Sequence, residues 1–97
     1  MRVAASPESR VFIEERGGQL FVWPDVHRCC RSSLTLLATS TTPPPRALEF
    51  AKVDASGFTL FLHPAMRRLP EEMEISLRGK GRRTHVEAYW DGCVYVT

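Results

Sequence analysis

The residues best equipped for chemistry in this chain are its three cysteines and three histidines. His27, Cys29 and Cys30 are nearly contiguous in His27-Arg28-Cys29-Cys30, and Cys93 lies far along the chain. Thiolate sulfur and imidazole nitrogen are ligands for zinc, iron and iron–sulfur clusters. The spacing is not that of a self-contained site: no C-x₂₋₄-C pair occurs, and in an extended chain adjacent side chains point to opposite faces. A ligand set of His27, Cys30 (or Cys29) and Cys93 therefore requires the fold to bring them together. Cys30 and Cys93 would equally serve as small buried apolar residues, as free cysteines often do. Arg28 and Arg31 flank the cysteine pair and favour thiolate, which makes the pair sensitive to oxidants. A Cys–His nucleophile pair with His27 or His85 lacks any local orienting motif, so an enzyme is not expected.

A second chemically equipped stretch is Arg78-Gly79-Lys80-Gly81-Arg82-Arg83. Arg78, Lys80, Arg82 and Arg83 could contact phosphates, with the glycines allowing close backbone approach. The spacing does not match a Walker loop. Glu71, Glu72, Glu74 and Glu87 surround it in sequence and are expected to balance its charge, leaving a solvated turn as the competing reading. The acidic trio at 71–74 reads as charged surface and not as an acid–base pair.

These groups must be positioned by a small fold. Ninety-seven residues with a 43% apolar share and a net charge of +2 make one globular domain. The expected layout is a flexible leader over 1–9 and a single β-rich domain over 10–97. No apolar run is long enough to span a bilayer, and the first residues lack an apolar signal core. An odd cysteine count argues against a disulfide framework, and a cytoplasmic location is expected. All cations except Lys52 and Lys80 are arginines.

The pattern predicts seven or eight short strands with at most one short helix: a mostly β protein, a small sandwich or compact barrel-like fold. Val11-Phe12-Ile13 begins a first strand, Gly17-Gly18 turns it, and Gln19 to Trp23 forms a second that Pro24-Asp25 stops. Leu34 to Thr39 is a strand. Thr39 to Pro45 is a stiff proline-rich connection. Leu48 to Val53 reads as a bulged strand and Phe58 to Leu62 as the most buried one. Pro64 to Leu69 reads as a short helix with proline in its first turn. Met73, Ile75 and Leu77 alternate with Glu72, Glu74 and Ser76 in a half-buried strand. Asp91-Gly92 suits a tight turn, so 85–97 reads as a hairpin pairing Trp90 with Cys93, Tyr89 with Val94 and Ala88 with Tyr95.

From Phe21 to about Trp90 this order of elements resembles the HesB-like family of A-type iron–sulfur scaffold and carrier proteins. The correspondence runs through a cysteine at Cys29 or Cys30 followed by Ser32-Ser33 and the strand Leu34 to Thr39. It continues through the connection Thr41 to Arg46, the strand Gly57 to Leu62, the short helix Pro64 to Leu69 and the strand Met73 to Leu77. The chain departs from the family in lacking a C-terminal Cys-Gly-Cys, where Cys93 stands alone. The resemblance implies a carrier or accessory protein that binds an iron–sulfur cluster, iron or zinc through Cys29, Cys30 and Cys93. A protein partner or a homodimer would complete such a role. Two other readings stand beside it: a phosphate- or nucleic-acid-binding module using loop 78–83, and a protein–protein interaction domain with no metal.

Overall fold

Ser6 separates the first two elements, β1 (Arg2–Ala5) and α1 (Pro7–Glu15). Its hydroxyl accepts from the Ser9 backbone N–H at 3.3 Å. Pro7 sits in the first turn, where its missing N–H breaks no bond, and Glu8 puts negative charge at the positive end of the helix. This computed structural model describes residues 2–29, 32–55, 57–64, 66, 71–90 and 95–96. Side chains are described for these except at 26–29, 32–36, 90 and 95–96.

The N-terminal region corrects the sequence reading twice. Residues 2–5 are not a frayed leader but a strand paired in parallel with β6, from Arg2↔Glu72 to Ala5↔Ile75. Residues 11–13 are not a strand but the last turns of α1. Ser9 and Ile13 lie one helical turn apart and are both fully buried, whereas Val11 is 54% exposed. The Ser9 hydroxyl donates to the Ser6 carbonyl at 2.8 Å and lies 3.3 Å from the Ile75 carbonyl. Burial of this polar group is therefore compensated.

Further strands are β2 (Gln19–Cys29), β3 (Ser32–Ser40), β4 (Ala51–Ala55), β5 (Phe58–Leu62), β6 (Glu72–Arg78), β7 (His85–Trp90) and β8 (Tyr95–Val96). They form two mixed sheets, of order β1-β6-β7 and β4-β5-β2-β3-β8. The fold is mostly β with one α-helix among the described residues, as the sequence pattern requires. Ile13 of α1 joins Leu20, Val22, Phe58, Leu60, Leu62, Met73, Ile75, Val86 and Ala88 in one core between the sheets. Thr39 Oγ1 donates to the Val86 carbonyl at 2.5 Å and so ties β3 to β7. On the opposite side of the larger sheet, Phe21 stacks on Phe61 at 4.7 Å and meets Phe50 edge-on at 5.8 Å. That second cluster is why Leu20, Phe21 and Val22 are all buried although strand neighbours face opposite ways.

Two strand boundaries differ from expectation. β2 does not stop at Pro24 but continues to Cys29, paired with β3 from Phe21↔Ser40 to Cys29↔Ser32. Among the described residues β5 covers the other side of β2 only from Gln19 to Val22. Beyond Val22 no described strand pairs on that side, and a strand side without a partner tolerates a proline. Of the expected terminal hairpin, Ala88 and Tyr95 are not strand partners, and the Trp90–Cys93 and Tyr89–Val94 pairs lie outside the described residues. β7 pairs with β6, setting Ala88 against Ile75, Tyr89 against Glu74 and Trp90 against Met73. β8 pairs instead with β3, Leu36↔Tyr95 and Thr35↔Val96. Residues 47–49, expected in a strand, form a 3₁₀ turn that leaves Leu48 fully exposed. The short helix expected over 64–69 falls mostly outside the described residues.

Candidate functional site

Past the end of the β5 pairing β2 and β3 run on together as a ribbon for roughly 20 Å, to Cys29 and Ser32, with β8 on the other side of β3 at Thr35 and Leu36. Cys29 is the last residue of β2 and lies opposite Ser32, the first residue of β3. His27 lies opposite Leu34 on the same ribbon. Cys30 and Cys93 lie outside the described residues, as do the side chains of His27 and Cys29. Among the described residues no three histidine, cysteine or acidic side chains gather as a metal site. Nor is any described helix long and apolar enough to cross a membrane.

At the β6–β7 connection the geometry is fully described. Arg78 closes β6, Gly79 and Lys80 bend the chain, and Gly81–Arg83 form a 3₁₀ turn before β7. The turn is closed by the Arg83 N–H donating to the Lys80 carbonyl at 3.0 Å and the Thr84 N–H donating to the Gly81 carbonyl at 3.2 Å. Gly79 has φ of 84°, and a Cβ there would stand 2.2 Å from the Arg83 carbonyl oxygen. Glycine is thus required both by conformation and by space.

Alternation along β7 puts His85, Glu87 and Tyr89 on one face, a signal the sequence contains and the hairpin reading passes over. His85 Nδ1 lies 2.7 Å from the Arg83 carbonyl oxygen and Nε2 lies 3.1 Å from Glu87 Oε1. Both partners are acceptors, so only the imidazolium, with two N–H donors, satisfies both. The bond to the Arg83 carbonyl, and secondly that to Glu87, accordingly raises the His85 pKa. The Tyr89 hydroxyl donates to Glu87 Oε2 at 2.5 Å, and Arg78 Nε donates to the Tyr89 oxygen at 3.1 Å. The Tyr89 hydrogen bond, with help from His85, holds the Glu87 carboxyl below its usual range and pushes the Tyr89 phenol up. Along this network runs a cavity of about 440 Å³, lined by Leu37, Ala38 and Thr39 of β3 and by 85–89 of β7.

The basic loop is therefore not one unit. Arg78 is engaged with Tyr89, while Lys80, Arg82 and Arg83 are exposed. Of the acids expected to balance the loop, Glu74 acts on Arg78, while Glu71 and Glu72 stand farther off. Glu72 pairs with Arg2 at the far end of β6, a seven-residue strand of about 20 Å.

Mixed two-sheet architecture and a ribbon ending at Cys29 are what the chain brings to comparison with known proteins. Residues 1–90 match the model of a family described as "CC/Se motif containing family", and the chain belongs to that family. It also aligns with two solved structures. One is Escherichia coli SufA, described as involved in biosynthesis of iron–sulfur clusters, at 14% identity, over 92% of this chain and 80% of that one, with a TM-score of 0.47. The other is IscA with the [2Fe-2S] cluster, at 16% identity, over 90% of this chain and 80% of that one, with a TM-score of 0.47. Among curated proteins none matches the chain in sequence.

Proposed function

We propose that this protein is a non-enzymatic accessory protein that binds metal or an iron–sulfur cluster through the Cys29-Cys30 pair. The observation that carries the reading is the β2–β3 register, which puts Cys29 at the last position of a ribbon standing beyond the β5 pairing. The family description supports it, because Cys29-Cys30 is the one Cys-Cys pair in the chain and lies within the matched residues. Adjacent cysteines offer two soft sulfur donors, which suits transfer to or from another protein. Arg28 and Arg31 flank the pair in sequence and favour its thiolate form. Two thiolates supply half of a tetrahedral set, so Cys93, His27 or the cysteines of a second copy would complete it. A homodimer and a protein that receives the cargo are the partners this reading requires, and a reducing cytoplasm is its natural setting.

The test is metal content and visible absorption of protein purified anaerobically from iron- and zinc-supplemented cells. Wild type is compared with Cys29→Ser/Cys30→Ser and with Cys93→Ser. Stoichiometric metal that the double variant loses is the expected result. If only Cys93→Ser also loses it, Cys93 belongs to the set. A folded wild type free of metal would refute the carrier reading and leave a protein-interaction domain.

A further inference from the structure

We infer that the β6–β7 loop is a phosphate-binding loop, in which Lys80, Arg82 and Arg83 contact closely spaced phosphate groups and His85 fixes the loop that presents them. The inference is independent of the cysteine pair.

Three observations carry it. First, the three cations are exposed, and of the neighbouring acids Glu74 bears on Arg78 while two others are paired. Glu87 is taken by His85, Tyr89 and Arg78, and Glu72 by Arg2. Glu71 and Glu72 stand at the other end of β6, farther than the roughly 8 Å over which charge persists in physiological salt. A net charge of only +2 therefore conceals a locally positive loop.

Second, the loop is shaped before any ligand arrives. Two backbone hydrogen bonds close the 3₁₀ turn, and Gly79 lets the Arg83 carbonyl approach closer than any side chain would allow. Pre-formed loops spend less ordering entropy on binding than mobile ones.

Third, the Arg83 carbonyl that Gly79 admits is the one His85 Nδ1 holds at 2.7 Å. His85 thus fastens the loop to β7, and does so best as a cation. The charged and titratable groups around it are Glu87 and Tyr89 on β7, Arg78 opposite it on β6, Arg83 in the loop, and Arg16 of α1, which shares a cavity wall with it. Protonated, His85 both closes the loop and adds positive charge beside it. Phosphate affinity is therefore highest at low pH and falls as the imidazole loses its proton.

The Tyr89 hydroxyl is held by Glu87 and Arg78, and the Arg78 guanidinium lies over its ring 5.9 Å from the centroid, so that ring is already partnered by a cation. The ligand is accordingly recognised by its phosphates and not by base sequence.

The experiment measures binding of a labelled mixed-sequence single-stranded oligonucleotide by anisotropy, and of tripolyphosphate by calorimetry, across salt and pH. Wild type is compared with Lys80→Gln/Arg82→Gln/Arg83→Gln, with His85→Gln and with Cys29→Ser/Cys30→Ser. Three phosphate contacts predict a log–log salt slope of about −2 for the oligonucleotide, and the triple variant abolishes it. His85→Gln is expected to weaken binding roughly two- to fivefold at low pH, the scale of one exposed charge contact, and to flatten the pH dependence. The cysteine variant binds as wild type. Loop-dependent binding of tripolyphosphate alone identifies a free polyphosphate ligand, and of the oligonucleotide as well, a nucleic-acid backbone. Either result supports the proposal. No binding of either probe, or binding that the triple variant retains, overturns it, with circular dichroism showing that the exposed substitutions leave the fold intact.

Discussion

Gly79→Ala and Gly81→Ala change the same atoms in the same loop, yet the structure predicts unequal costs. Both glycines have positive φ, 84° and 57°. Placing an L-residue there costs about 1–2 kcal/mol in each case. At Gly81 nothing lies within 4 Å of the added Cβ, so that is the whole cost. At Gly79 the Cβ would meet the Arg83 carbonyl oxygen at 2.2 Å and its carbon at 2.8 Å. These are backbone atoms and cannot rotate aside. Relief requires the Arg83 peptide to move by about 1 Å or more to reach ordinary contact. That motion gives up the Thr84 N–H bond to Gly81, which belongs to the same peptide unit, the His85 contact, or both, at about 0.5–1.5 kcal/mol each. Gly79→Ala is thus expected to cost about 1.5–5 kcal/mol against about 1–2 for Gly81→Ala. Urea unfolding measures the difference directly. In thermal melts each kcal/mol corresponds to roughly 4–8 °C for a domain of this size. Proton NMR of His85 supplies a second readout, because only Gly79→Ala should return its titration toward the ordinary value. Two variants of equal stability, or an unmoved His85 titration in Gly79→Ala, would refute the loop geometry.

The His85 contacts also set a pH dependence of stability. Its folded pKa is raised above 6.5, so its contribution is fully present below that value and is lost as pH rises through the folded pKa. The stability gap between wild type and His85→Gln should therefore shrink on going alkaline, and a gap that widened would contradict the assignment. The α1 packing makes a separate prediction: Ile13→Ala should cost about 2–4 kcal/mol as a buried cavity, and Val11→Ala no more than about 0.5. Chemical denaturation of the two variants decides it, and equal losses would favour the strand that the apolar triplet suggests.

What the sequence shows and hides follows from where local signals agree with tertiary ones. β5 and β6 are legible because alternate residues carry the burial: Phe58, Leu60 and Leu62 in one, Met73 and Ile75 in the other. α1 is hidden because the residue one turn before Ile13 on its buried face is Ser9, not an apolar residue. Val11-Phe12-Ile13 then looks like a strand, although Ser6-Pro7-Glu8 spells a helix start. β2 is cut short in the sequence by Pro24, since nothing local reveals that one side of the strand has no described partner there. That misreading matters most for function. A β2 ending at Trp23 leaves Cys29 in an unplaced polar segment, whereas a β2 ending at Cys29 sets it on a ribbon opposite Ser32. The His85-Glu87-Tyr89 face was available from alternation alone, but its bond to the Arg83 carbonyl depends on Gly79 and was not.

The two chemically equipped regions are far enough apart to act separately. β3 connects them: its first residue, Ser32, faces Cys29, and its later residue Thr39 bonds to Val86 beside His85. Between Ser32 and Thr39 the strand runs roughly 23 Å, nearly three Debye lengths at physiological salt. Lys80, Arg82 and Arg83 therefore cannot lower the pKa of the Cys29 thiol through space, and any electrostatic activation of it must come from near the ribbon end, where Arg28 and Arg31 flank the pair in sequence. Thiol alkylation kinetics against pH separate the two sources. The loop triple variant should alkylate as wild type does, while Arg28→Gln/Arg31→Gln should shift the rate profile toward higher pH. A loop variant that shifted the profile would require the cations to approach the ribbon end, which the β3–β7 contact at Thr39 and Val86 does not permit.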